Sequence, residues 1–258
     1  MISGVLLDLA GVVYDGEDVI PGAIDAVARL RGAGLLIRFV SNTTRSNKPA
    51  LLTRLLRIGL HTTSDELFTP AQAARQWLVE HDRSPYLLVH PDLEPDFHGL
   101  AGGSKKALVV GDAGEAFDYQ TLNAAFRELL EGAEFLGLAP NRTFQDVDGK
   151  LSLDAGAFIA ALEYASQRRA TILGKPSPEF FLSALAGMNC PKAKAVVVGD
   201  DAESDVAGAL RAGLSKAVLV RTGKYRGGDE TRFKPAPTVT VDDISAAADW
   251  ILAARNIQ

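Results

Sequence analysis

The stretch Gly4-Val5-Leu6-Leu7-Asp8-Leu9-Ala10-Gly11-Val12 decides the fold. Its apolar run Val5-Leu6-Leu7 is short and does not alternate with polar residues. That pattern reads as a central strand covered on both faces of a parallel sheet. Such a strand delivers Asp8 to its carboxyl end, where open α/β sheets bind ligands. Gly11 lets the chain turn sharply beside that carboxylate.

Outward from this strand, apolar strand-like runs alternate with helical segments, the rhythm of a parallel sheet. Residues 23–31 form a helix with Ile24, Val27 and Leu30 on one face and Pro21 before it. A strand over 35–40 ends in Ser41-Asn42-Thr43-Thr44, and helices follow over 49–58, closed by Gly59, and 71–79. The rhythm then restarts. Strands are expected over 86–90, 107–110 and 135–139, helices over 118–131 and 157–166, and a polar loop or hairpin over 141–150. We read residues 80–170 as an inserted domain dividing a core formed by 1–79 and 171–258. After the insertion, a strand leads to Gly174-Lys175-Pro176-Ser177-Pro178 and a helix. The run 195–198 leads to Gly199-Asp200-Asp201, followed by a helix over 205–212. Strands over 216–220 and 238–241 complete the pattern, with 226–237 as a Gly-, Pro- and charge-rich loop. The expected fold is α/β, a doubly wound Rossmann-like parallel sheet carrying a smaller α/β insertion.

Composition narrows the function classes. The 258 residues are 47% hydrophobic and 23% charged, with net charge −5, which suits a globular chain with a substantial core. Lys and Arg are scattered and do not interleave with aromatics, so no nucleic-acid partner is expected. No apolar run approaches the ~20 residues of a membrane span. Cys190 is the only cysteine, which excludes an internal disulfide and fits a reducing compartment. Met1-Ile2-Ser3-Gly4 runs into the first strand without a charged leader, so a cytoplasmic location is expected.

Four strand ends carry unusual polar groups: Asp8; Ser41 and Asn42; Lys175; and Asp200, Asp201 and Asp205. Each has a plain alternative. Asp8 could form a turn, Ser41-Asn42-Thr43 and Asp200-Asp201 could cap helices, and Lys175 could be a solvated loop residue. Their joint occurrence at ends that converge on one crevice favours phosphoryl transfer. A carboxylate can attack phosphorus, paired carboxylates can hold Mg²⁺, and a lysine can neutralise the transferring group.

These residues resemble the motifs of the haloacid dehalogenase-like superfamily. Asp8-Leu9-Ala10-Gly11-Val12 is similar to the first motif, Val40-Ser41-Asn42 to the second, Gly174-Lys175-Pro176 to the third, and Gly199-Asp200-Asp201 with Asp205 to the fourth. The insertion resembles a type II cap, an α/β lid. Tyr86-Leu87-Leu88-Val89-His90, Gly174-Lys175-Pro176-Ser177-Pro178-Glu179-Phe180-Phe181 and Val220-Arg221-Thr222-Gly223-Lys224 resemble the phospholysine phosphohistidine inorganic pyrophosphate phosphatase group.

The resemblance implies that Asp8 is nucleophile and Mg²⁺ ligand. It implies Asp200 as a second ligand, the Ala10 carbonyl as a third, and Asp205 as support for the metal site or Lys175. It further implies that Ser41, Asn42 and Thr43 hold the phosphoryl group, and that Lys175 pairs with Asp8. Asp201 would be a water-mediated ligand.

Ala10 is the departure, because phosphatases of this superfamily usually carry there an aspartate acting as general acid and base. Its loss implies slow turnover and favours small phosphorylated substrates with good leaving groups, such as phosphoramidates or pyrophosphate. The alternative is a weakened pseudoenzyme that binds a phosphorylated ligand or a protein partner. The cap would set the substrate, with Asp112, Glu115, Asn141 and Arg142 as candidate contacts. Caps of this type often pair, which by analogy leaves a homodimer open beside a monomer.

Overall fold

The computed structural model describes residues 1–146 and 149–256. The part of the expected loop at 147–148 lies outside them. In chain order the strands are β1 (Gly4–Asp8), β2 (Tyr14–Asp15), β3 (Asp18–Val19), β4 (Leu36–Val40), β5 (Leu67–Phe68), β6 (Arg83–Leu88), β7 (Lys105–Val110), β8 (Glu134–Gly137), β9 (Thr143–Gln145), β10 (Leu151–Leu153), β11 (Thr171–Ile172), β12 (Ala195–Gly199), β13 (Lys216–Val220) and β14 (Val239–Val241). The helices are α1 (Ala23–Gly32), α2 (Lys48–Arg57), α3 (Pro70–Glu80), α4 (Tyr119–Leu130), α5 (Ala155–Ser166), α6 (Pro178–Ala186), α7 (Gly208–Arg211), α8 (Asp229–Arg232) and α9 (Ile244–Asn256). Two compact units result: Met1–Ser41, Leu52–Phe68 and Lys175–Gln258 in one, Asn42–Leu51 and Thr69–Gly174 in the other.

The first unit is built on a six-stranded sheet in the order β14-β13-β12-β1-β4-β5. Every neighbouring pair is parallel, with Val5 beside Val196 and Asp8 beside Val40. All residues of β1 and β12 are buried, as their unbroken apolar runs require. Each such Val or Leu contributes roughly 1.5–3 kcal/mol relative to exposure. Strand order runs outward from β1 toward β5 on one side and from β12 toward β14 on the other. β1 and β12 therefore flank the topological switch point, and Asp8 and Asp200 emerge there. α1 turns Ala23, Ala26, Val27 and Leu30 inward, the face set by its helical spacing.

The second unit has a four-stranded parallel sheet in the order β11-β8-β7-β6. Leu108, Val110 and Phe135 of the sheet pack with Ala125 and Leu129 of α4 and with Ile159 and Leu162 of α5. Asp118 caps α4 by accepting from the Thr121 amide at 2.7 Å. β9 and β10 pair antiparallel as a hairpin.

Three local features differ from the sequence expectation. The helix expected over 205–212 is a π-helical turn, Ala202–Ala207, followed by the short α7. The Asp205 side chain accepts from the Asp201 amide at the start of that turn, and the Val206 amide donates to the Asp201 carbonyl five residues back at 3.3 Å. The loop 226–237 contains α8, started by the left-handed Gly228. Residues 42–51, 69–79 and 171–174 cluster with the second unit and not with the first. No helix among the described residues is long and apolar enough to cross a membrane.

Candidate active site

Lys175 is the centre of the arrangement in the first unit. It opens the segment leading to α6 and is 3% exposed. Its Nζ lies 2.8 Å from Asp8 Oδ1 and 2.6 Å from Asp205 Oδ1. Burial opposes the charged ammonium, but the two carboxylates overcome it and raise the lysine above its ordinary range. Lys175 is therefore a fixed cation.

Asp8 ends β1 at 7% exposure. Its Oδ1 also accepts from the Leu9 amide at 2.8 Å. Neither of these contacts uses Oδ2, so a second oxygen is presented with its partner held still. Asp200 directly follows β12 and is 2% exposed; its Oδ2 accepts from the Lys224 amide at 2.7 Å. Burial, then the charges of Asp8 and Asp205, push it up to about 8. Asp205 is fully buried and uses both oxygens, one for Lys175 and one for the Asp201 amide at 3.1 Å. Burial pushes it up to about 7 against the pull of Lys175.

One carboxylate oxygen from each of Asp8, Asp200 and Asp205 lies within 4.8 Å of the others. Three buried carboxylates meet one ammonium, so the cluster lacks positive charge. An all-carboxylate donor set suits a hard divalent cation. Asp8 and Asp200 are the residues best able to hold one, because both oxygens of Asp205 are already committed.

The other expected residues are placed as follows. Ser41 follows β4, is buried, and anchors its amide on the Phe68 carbonyl at 3.2 Å. Asn42 and Thr43 are half-buried and open the second unit. Ala10 is exposed and forms a bridge with Tyr14. Asp201 caps the π-helical turn, accepting from the Glu203 and Ser204 amides. In the second unit Asp112 is buried in a salt bridge with Arg45 and accepts from the Gly114 amide, a structural role for that candidate contact.

Sequence reasoning assigned no role to Tyr14, and it used Val220-Arg221-Thr222-Gly223-Lys224 only as a resemblance without a role for the 221–225 loop. Tyr14 is buried and raised above its ordinary range, chiefly by burial against the opposing pull of Arg54; the Asp8 charge adds to the rise. The loop supplies the Lys224 amide to Asp200. Its signal was Thr222-Gly223-Lys224 directly after a strand.

A family model described as "Haloacid dehalogenase-like hydrolase" matches residues 5–123, and one described as "HAD-hyrolase-like" matches 172–247. A Homo sapiens protein named haloacid dehalogenase-like hydrolase domain-containing protein 2 is 43% identical over 251 residues, covering 97% of this chain and 96% of the relative. The phospholysine phosphohistidine inorganic pyrophosphate phosphatase of Danio rerio is 42% identical, covering 98% and 96%. Among solved structures, the p-nitrophenyl phosphatase from Archaeoglobus fulgidus superposes with a TM-score of 0.88 at 25% identity, covering 96% and 99%.

Proposed function

Because the chain belongs to the haloacid dehalogenase-like hydrolase family, we propose that it is a Mg²⁺-dependent phosphohydrolase working through an aspartyl-phosphate on Asp8. One observation carries the reading: a buried lysine joins Asp8 to Asp205 beside Asp200 at the switch point of the sheet. A purely structural ion pair has no need of a third buried carboxylate held uncompensated. For the same reason a binding chain without turnover is the less favoured alternative.

In this reading Lys175 and the Leu9 amide hold Asp8 Oδ1, which leaves Oδ2 to attack phosphorus. The new Oδ2–P bond forms as the bond from phosphorus to the leaving group breaks. Lys175 stabilises the charge that spreads over the transferring oxygens. Ser41, Asn42 and Thr43 offer hydroxyls, an amide and backbone donors to the same oxygens. Water then cleaves the acyl phosphate, returning Asp8 and releasing phosphate. Asp8, Asp200 and the Ala10 carbonyl would hold Mg²⁺, which when bound would supply charge neutralisation for attack. Asp205 keeps Lys175 in place.

Ala10 supplies no proton to the leaving group and no base to the attacking water. The first step therefore favours substrates whose leaving group needs little enzymic help, and both steps proceed slowly. Phosphoramidates and pyrophosphate fit that chemistry, and the name of the Danio rerio relative points the same way. The inserted unit, taken as residues 80–170, acts as the cap that sets the substrate. The reading includes a cytoplasmic location, from the single cysteine, and a homodimer, by analogy with caps of this kind.

The test is turnover of p-nitrophenyl phosphate, pyrophosphate and a phosphoramidate, with Mg²⁺ and with excess EDTA. The reading expects slow, metal-dependent hydrolysis, with the phosphoramidate or pyrophosphate ahead. Undiminished turnover in EDTA overturns the metal requirement, and no hydrolysis of any of them overturns the enzyme reading.

A further inference from the structure

The mechanism uses Asp200 but does not explain what holds it. Three groups from two distant segments converge on its carboxylate. The Lys224 amide donates to Oδ2 at 2.7 Å. A Cβ added to Gly11 would fall on Oδ2, and so would one added to Gly223. Both glycines are left-handed, with φ of 77° and 60°. The Thr222 hydroxyl donates to the Gly11 carbonyl and ties the two segments together. Asp200 therefore sits in a notch that only two side-chain-free positions leave open. Among the described residues, Oδ1 has no hydrogen-bond partner, since the loop engages Oδ2 alone.

From this notch we infer that the 221–225 loop is a positioning element of the metal centre, with Gly223, Thr222 and the Lys224 amide fixing the Asp200 carboxylate so that Oδ1 faces the cation. This rests on the reading of Asp8 and Asp200 as metal ligands. Groups that orient a ligating side chain typically contribute 10–100-fold to metal affinity. A carboxylate free to rotate would present its oxygens in several arrangements, and a small cation that demands regular geometry tolerates that poorly.

Gly223→Ala tests this against a matched control. Gly228 lies in the following loop at φ 97° with open space around its Cα. Gly228→Ala therefore imposes a left-handed alanine without touching Asp200. The measurements are the Mg²⁺ dissociation constant by titration calorimetry and the metal-free melting temperature, on the full chain. Gly223→Ala is expected to weaken Mg²⁺ binding by about 10–100-fold. Gly228→Ala should leave the dissociation constant at its wild-type value while lowering the metal-free melting temperature through its left-handed φ alone. Thr222→Val keeps the shape of the side chain, removes the tie to Gly11, and should weaken Mg²⁺ severalfold; it decides the matter if Gly223→Ala fails to fold. Equal losses in the two glycine variants would overturn the inference, as would wild-type affinity in Thr222→Val. A wild type that hydrolyses phosphoryl substrates yet binds no Mg²⁺ would overturn the metal reading and this inference together, while leaving Asp8 as nucleophile.

Discussion

Position 10 sets how the site divides its work. The exposed alanine methyl leaves room for a longer side chain beside Asp8. Ala10→Asp is therefore expected to fold and to accelerate alkyl phosphate hydrolysis, by up to roughly 10²–10⁴. Phosphoramidates should gain less, because their leaving group depends less on an enzymic acid. The new carboxylate adds negative charge near Asp8 and Asp200, which offsets part of the gain. The check is the ratio of kcat/KM for an alkyl phosphate to that for a phosphoramidate in both forms. An unchanged ratio with metal still bound would mean that position 10 does not limit the site. Lys175 makes a complementary case. Lys175→Ala leaves Asp8 and Asp205 buried without their shared cation. Breaking such a pair costs about 3–5 kcal/mol, so folding and turnover should both suffer. Acidification protonates the stranded carboxylates and should recover much of the melting temperature but none of the turnover. Recovery of activity along with stability would assign the lysine a structural role only.

At the scale of elements, β12 and the π-helical turn after it form one device. Gly199 lies so close to Asp205 that an added Cβ would meet the aspartate's Cβ and carboxyl group. Gly199→Ala should push the turn off the strand, withdraw Asp205 from Lys175, and lower both melting temperature and turnover. In an Asp205→Gly background the same change should cost little further stability, because the clashing atoms are gone. Additive losses in the double variant would contradict that coupling. These elements also show what the sequence could reveal. β1, β12 and β13 were legible because an unbroken apolar run ending in a polar group has few other uses, and β4 was legible although Arg38 interrupts its run. Asp8, Lys175, Asp200 and Asp205 were legible as strand-end polar groups, although their mutual contacts were not. The π-helical turn was invisible because hydrophobic periodicity does not record the bond of the Val206 amide to the carbonyl five residues before it. The role of the 221–225 loop was not legible because its contacts to Asp200 run through a backbone amide and an absent side chain. The placing of α3 and Asn42–Leu51 in the second unit depends on tertiary packing, which spacing along the chain does not encode.

At the scale of the whole molecule, the acidic cluster makes stability depend on pH and on cation. Asp200 is pushed up to about 8 in the fold, against about 4 in an unfolded chain. Between those values the unfolded state binds fewer protons, so this group's contribution to stability falls as pH rises. A divalent cation that replaces the proton removes the penalty. The rise in melting temperature caused by Mg²⁺ should therefore be small near about pH 5.5 and larger near about pH 8.5. An equal rise at both would show that the cation does not compete with that proton. The account as a whole stands on covalent capture of the phosphoryl group by Asp8, and the slow hydrolysis expected with alanine at position 10 makes that intermediate accumulate. The most direct measurement is peptide mass spectrometry after a rapid acid quench during turnover with Mg²⁺ and a phosphoramidate. The account predicts one phosphoryl group on the peptide carrying Asp8, removed by hydroxylamine and missing from Asp8→Asn. Turnover with that peptide unmodified, or hydrolysis that persists in Asp8→Asn, would contradict it.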